Sequence, residues 1–203
     1  MQPRRHWWVA LALVLLGAAL VRFAPAERTL GEGIRWVYVH VSLVWAGSVA
    51  LAVAGVGGVA TLVSGNVAIA GWVRAAWRAG LVIFALGVAF SMVAARVNWG
   101  AVFLAEPRMA ASLRFICLTA IVQVVASWIE RPRITGLLAS ATAALLVWDV
   151  GGAQLVMHPH DPVRTATSSA IQLTFALGFA IAAAGTLWTV LLLRPRAAEH
   201  ASV

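Results

Sequence analysis

The stretch that decides the fold is IRWVYVHVSLVWAGSVALAVAGVGGVATLV, residues 34–63, in which Arg35 is the only charged side chain and His40 the only histidine. Crossing about 30 Å of hydrocarbon takes roughly 20 helical residues. Lipid offers no hydrogen-bond partners, so a run of this length and polarity has to satisfy its backbone internally, as a helix. Five further apolar runs lie on either side of it, at 7–21, 81–97, 115–129, 134–150 and 171–193. The runs at 7–21, 115–129 and 134–150 are short and must borrow flanking residues, whose long side chains snorkel to the interface. The pattern predicts an all-α polytopic membrane protein, six transmembrane helices in one bundle, forming a single domain over 1–203.

Composition points the same way. The chain is 62% hydrophobic and 11% charged, where a soluble domain is about half apolar and about a quarter charged. The net charge of +8 is carried by arginine alone, without lysine. These arginines stand in pairs beside apolar runs rather than on a polar basic face, which argues for membrane topology and against nucleic acid. Cys117 is the single cysteine, which excludes an internal disulfide, a C-x-x-C redox pair and a C-x-x-C-H site for covalent haem attachment. Lying inside an apolar run, it is expected to be a small buried hydrophobe. Arg4, Arg5, the run at 7–21 and Ala24-Pro25-Ala26 resemble a signal peptide; the segment is read instead as a first transmembrane helix retained in the chain.

Six spans put both termini on one side. That side would hold Arg4, Arg5, Arg74, Arg78, Arg131, Arg133, Arg194 and Arg196 with Glu130 and Glu199, and the other the remaining seven arginines together with Glu27, Glu32, Glu106, Asp149 and Asp161. The positive-inside rule then places both termini in the cytoplasm. Three outer loops follow, at 22–33, 98–114 and 151–170. Trp7, Trp8, Trp36, Trp72, Trp77, Trp99, Trp128, Trp148 and Trp188 fall near span ends, as an interfacial aromatic belt does. Gly55, Gly57 and Gly58 read as helix-packing residues or a kink.

His40 is the only histidine inside a span, and an ionisable side chain there is by default a functional candidate. Six residues from Ile34, it sits roughly 9 Å below the outer end of its helix. Trp36 lies one turn above on the same face, and Leu43, Val44 and Gly47 below make an apolar strip suited to a flat ligand. The last outer loop carries MHPHDP, with His158 and His160 flanking Pro159; neutral imidazole ligates metals, haem iron included. The middle outer loop, VNWGAVFLAEPRMAASLRF, is apolar and aromatic but interrupted by Glu106 and Arg108, as an amphipathic interfacial stretch would be.

On these residues the chain resembles the haem-handling family of cytochrome c biogenesis, specifically the six-span C subunit of the cytochrome c maturation system. That family carries a Tyr-x-His-Val-Pro motif in the second span; here Tyr38, His40 and Val41 fit and Ser42 replaces the proline. Its tryptophan-rich outer loop reads W-G-x-x-W-x-W-D-x-R-L-T. Trp99, Gly100 and Arg108 match, whereas Phe103 and Ala105 replace the two inner tryptophans, Glu106 the aspartate, and Met109 and Ala110 the final pair. The resemblance implies axial haem ligation by His40 and His158, with His160 a close rival. It also implies ring contacts from Trp36, Trp99 and Phe103, and pairing of propionates with some of Arg35, Arg96, Arg108 and Arg164. It further implies haem b as cofactor and delivery to a periplasmic haem chaperone with help from ATP-binding-cassette transporter subunits. The setting would be a bacterial inner membrane and its lipid.

No nucleophile with a base, phosphate loop or structural zinc pattern is present in the sequence, so a non-enzymatic transfer protein is expected. Two other readings stand beside this one. A structural or assembly subunit that no longer binds haem accords with the missing tryptophans. A cytochrome b-like electron carrier fits less well, because such carriers use paired histidines within helices.

Overall fold

The computed structural model describes residues 4–154 and 168–194. Six helices follow one another: α1 (Arg4–Phe23), α2 (Ile34–Ser64), α3 (Val67–Trp99), α4 (Pro107–Ile129), α5 (Pro132–Leu145) and α6 (Ser169–Leu193). α5 runs on through a π-helical turn, Leu146–Val150. Among the described residues five segments are long and apolar enough to cross a membrane: α2, α3, α4, Pro132–Val150 and α6. The apolar part of α1, Trp7–Phe23, is shorter. The protein is an all-α polytopic membrane protein, as its hydropathy pattern predicts.

The centre of the bundle is the antiparallel pair α2–α3. Gly65 ends α2 in the left-handed region at φ 66, its N–H donating to Thr61 O. Asn66 then opens α3, its side-chain oxygen accepting from the backbone N–H groups of Ala68 at 2.8 Å and Ile69 at 3.2 Å. A left-handed glycine followed by an Asx cap is the shortest economical reversal between two long helices. α5 packs on a second flank of α2, α6 against both α2 and α3, α1 chiefly against α6, and α4 against α3 and the π-turn. Small residues permit these contacts. A Cβ on Gly58 would lie 2.6 Å from the Gly136 carbonyl oxygen, and one on Gly136 would lie 2.5 Å from that of Gly58, so α2 and α5 cross backbone to backbone. Trp77, Phe84 and Phe115 fill the buried centre, Phe115 meeting Phe84 edge to face at 5.4 Å.

The two ends of the bundle are tied separately. Asn98 at the end of α3 donates its amide to the Gly33 carbonyl oxygen at 3.2 Å, which joins loops 24–33 and 100–106 at one end. At the other end the Gly65 turn lies against the Arg133 side chain.

Four expectations change. α3 starts at Val67, fourteen residues before the apolar run at 81–97, because Arg74 and Arg78 interrupt hydropathy without interrupting the helix. Ala70, Val73, Ala75, Ala76, Trp77 and Ala79 bury that first part of α3. α4 likewise starts at Pro107 and not near 115, with Glu106 as N-cap accepting from Met109 N at 2.7 Å and Pro107 in the first turn. The middle outer loop therefore contracts from 98–114 to 100–106, and Trp99 and Arg108 are helical. Trp77 belongs to the core at 2% exposure instead of the interfacial belt. Cys117 is exposed on the outside of α4 rather than buried.

Candidate functional site

His40 lies two turns into α2, on the seam with α3. Its Nδ1 is 3.0 Å from the carbonyl oxygen of Gly87. A carbonyl oxygen only accepts, so Nδ1 carries the proton and donates it, and the ring lone pair resides on Nε2. One turn outward on the same two helices, Trp36 stacks on Phe90, ring centroids 6.1 Å apart at 21°. The seam thus presents two rungs in succession, an aromatic pair and an imidazole held by a backbone carbonyl.

The close approach behind this arrangement requires Gly87. A Cβ there would lie 2.7 Å from both the Val44 backbone nitrogen and its Cγ2. Gly47 meets Phe84 in the same way, with its would-be Cβ 2.5 Å from the Phe84 nitrogen. Val44 and Gly47 are therefore taken up by α3, which corrects the expectation that the strip below His40 receives a flat ligand.

The end of the bundle expected to face outward carries the other expected residues. Trp99 closes α3, where Gly100 takes the left-handed conformation at φ 77 and donates to Arg96 O. The Arg96 guanidinium donates to the Gly100 carbonyl and so folds back over the same turn. Trp36, Trp99 and Phe103 are 38%, 40% and 37% exposed. All three are exposed at the bundle surface, and the ring that joins Trp36 is Phe90. Arg108 sits half-buried in the first turn of α4. Arg35 pairs with Glu32 one turn before it. His158, His160 and Arg164 lie outside the described residues.

In the loop at 24–33, Glu27 accepts from the backbone N–H groups of Thr29 at 2.8 Å and Leu30 at 2.9 Å. The Leu30 and then the Thr29 hydrogen bonds hold its carboxyl below the usual carboxylate range. Tyr38, buried in α2 beneath this loop, reaches the Pro25 carbonyl oxygen at 3.5 Å.

Gly87 and Phe90 escape a reading of the sequence because they matter only through the register of α3 against α2. A second polar feature was also missed. Arg114, expected in an outer loop, is in α4 and pairs with Asp149 of the π-turn, Nη2 to Oδ1 at 2.7 Å. Among the described residues no three His, Cys, Asp or Glu side chains converge as a metal site. No family model matches this chain, and no curated protein does.

Proposed function

We propose that this protein holds haem b at the outer face of a bacterial inner membrane and presents it to a periplasmic haem chaperone during cytochrome c maturation. The observation that carries the reading is the His40 Nδ1–Gly87 O hydrogen bond. Histidines that ligate a metal commonly donate their other ring N–H to a carbonyl or carboxylate, which fixes the tautomer and the ring plane. His40 meets that requirement within the outer part of α2, on the side of the Trp36–Phe90 stack.

Haem, if bound here, would supply an iron that imidazole nitrogens can hold. On this reading His40 supplies one ligand from the helix seam and His158, with His160 as rival, the other from the last outer loop. Trp36, Trp99 and Phe103 cover ring edges, and Arg108 or Arg96 pairs with propionates at the interface, where unpaired charge costs least. Both termini are cytoplasmic, and ATP-binding-cassette subunits are the expected partners. Reporter fusions after Leu193 and within 151–168 reading the same side would remove this topology.

The test is the absorption spectrum and pyridine haemochrome content of the purified chain and of His40→Ala. The wild type is expected to retain haem and the variant to lose it while remaining inserted. Full haem content in His40→Ala would remove the basis of the assignment.

A second reading is that of an assembly subunit without haem, in which His40 serves as a clip between α2 and α3. The packing of Val44 and Gly47 against α3 favours it. A wild-type protein that never takes up haem, with His40→Ala lowering thermal stability, would decide for this second reading.

A further inference from the structure

A different pair of elements, α4 and the π-turn, builds a second polar site. Phe115 packs on Phe84, which is fifteen residues from Trp99 and eighteen from Asn66, roughly 22 and 27 Å along α3. The neighbouring Arg114 lies two turns into α4, and its partner Asp149 stands two residues before the loop at 151, so the pair opens toward the end of the bundle that carries Ala105. Both residues fall within candidate membrane spans, where ionisable groups are rare and mark binding or transport sites.

Local geometry aims the pair into a cleft. The π-turn closes with Gly151 N donating to Leu146 O at 3.1 Å, a five-residue step that inserts one residue into the helix and resets the direction of Asp149. Such insertions are frequent at functional sites. An open cleft of about 460 Å³ lies between Arg114 and Asp149, walled by Ala105 of the loop at 100–106, Ala110, Gly152 and Ala153, with Trp148 at its rim. Val147 and Leu118 are exposed on the bundle surface beside these elements. Asp149 takes one guanidinium N–H, whereas the group has five to give. The Arg114 side chain remains 58% accessible against 22% for Asp149, so the cation, not the anion, faces the opening.

We propose that this cleft binds the oxyanion headgroup of an amphiphile, a carboxylate or a phosphate monoester or diester carrying an apolar chain. Arg114 is the recognising group, and Asp149 is the resident counterion that holds the guanidinium in place between binding events. The apolar chain lies along Trp148 toward the lipid. This site shares no ligand residue with the His40 seam, and its test is independent of haem.

The full chain in neutral dodecyl maltoside micelles is titrated with oleate, with oleoyl lysophosphatidylglycerol and with oleyl alcohol, binding being read by native mass spectrometry. Saturable binding of either anion without binding of the alcohol supports the proposal, and the preferred anion tells a carboxylate source from a lipid phosphate. Arg114→Gln is expected to weaken that binding by about tenfold or more. Asp149→Asn is expected to strengthen it, because the guanidinium loses its internal competitor. Equal binding of all three probes, no binding of any, or equal weakening in both variants would overturn the proposal. Thermal unfolding of each variant identifies loss through misfolding, and Arg114→Lys, which keeps the charge, is expected to retain part of the affinity if the fold is intact.

Discussion

Gly87 supplies the carbonyl oxygen that accepts from His40 Nδ1 at 3.0 Å, and its missing side chain leaves the room for Val44 that brings α2 close enough for that bond. Acceptor and spacing reside in one residue. Gly87→Ala puts a methyl 2.7 Å from the Val44 backbone nitrogen, which α2 relieves only by moving away. Overpacking of this kind costs about 1 to 3 kcal/mol. Thermal unfolding in detergent is expected to show that loss. Haem content is expected to fall with it, although no ligand has been removed. Unchanged stability would mean that the seam is looser than its geometry implies.

In the proposed clamp the second ligand comes from MHPHDP. His158→Ala is expected to reduce haem content nearly as far as His40→Ala does, and His160→Ala markedly less, by pyridine haemochrome stoichiometry. The reverse order would assign the ligand to His160.

On the proposed reading the loop at 100–106 is a haem platform in which Phe103 and Ala105 stand where larger tryptophan rings would cover more of the ligand. Losing ring contact on the order of 100 Å² at about 25 cal/mol per Å² weakens haem binding by roughly 2 to 3 kcal/mol, or roughly 30- to 150-fold. Ala105 is exposed in this loop, so a larger ring is accommodated there. Ala105→Trp is expected to slow haem transfer to a competing apo-protein, measured by stopped-flow absorbance. An unchanged transfer rate would mean that the loop is not a haem platform.

Glu27 is ionised more readily in the folded loop than in an unfolded chain, because the Leu30 and Thr29 N–H groups bind its charged form. Its contribution to loop order is therefore fully present above the ordinary carboxylate pKa and is lost as pH falls through the lowered folded value. Hydrogen-exchange protection of Thr29 and Leu30 is expected to decline across that acidic window and to be low at all pH values in Glu27→Gln. Protection independent of pH in the wild type would contradict this account.

Much of the fold was legible from local sums of hydropathy. α2 begins at Ile34 as its sequence predicts, and α5 with its π-turn, like α6, falls within two residues of its apolar run. The runs at 81–97 and 115–129 are too short because hydropathy marks where a helix is apolar and says little about where it ends. Arg74, Arg78, Arg108 and Arg114 are compatible with a helix, and the true starts of α3 and α4 are written in Asn66, Glu106 and Pro107. Those caps are local signals, readable once the apolar run is no longer taken as the whole element.

By itself, then, the sequence determined the solvent of this protein, its helical class and the prominence of His40, since each depends on side-chain polarity within a few turns. The partners of His40, the stacking of Phe90 on Trp36, the occupation of the strip at Val44 and Gly47, and the meeting of Arg114 with Asp149 were decided only by the tertiary structure. They depend on the register between helices, which close contacts at Gly47, Gly58, Gly87 and Gly136 set across 35 or more residues of chain. A glycine in an apolar run does not name the backbone that will lie against it; that follows from which of several similar small-residue faces pack together with the fewest clashes.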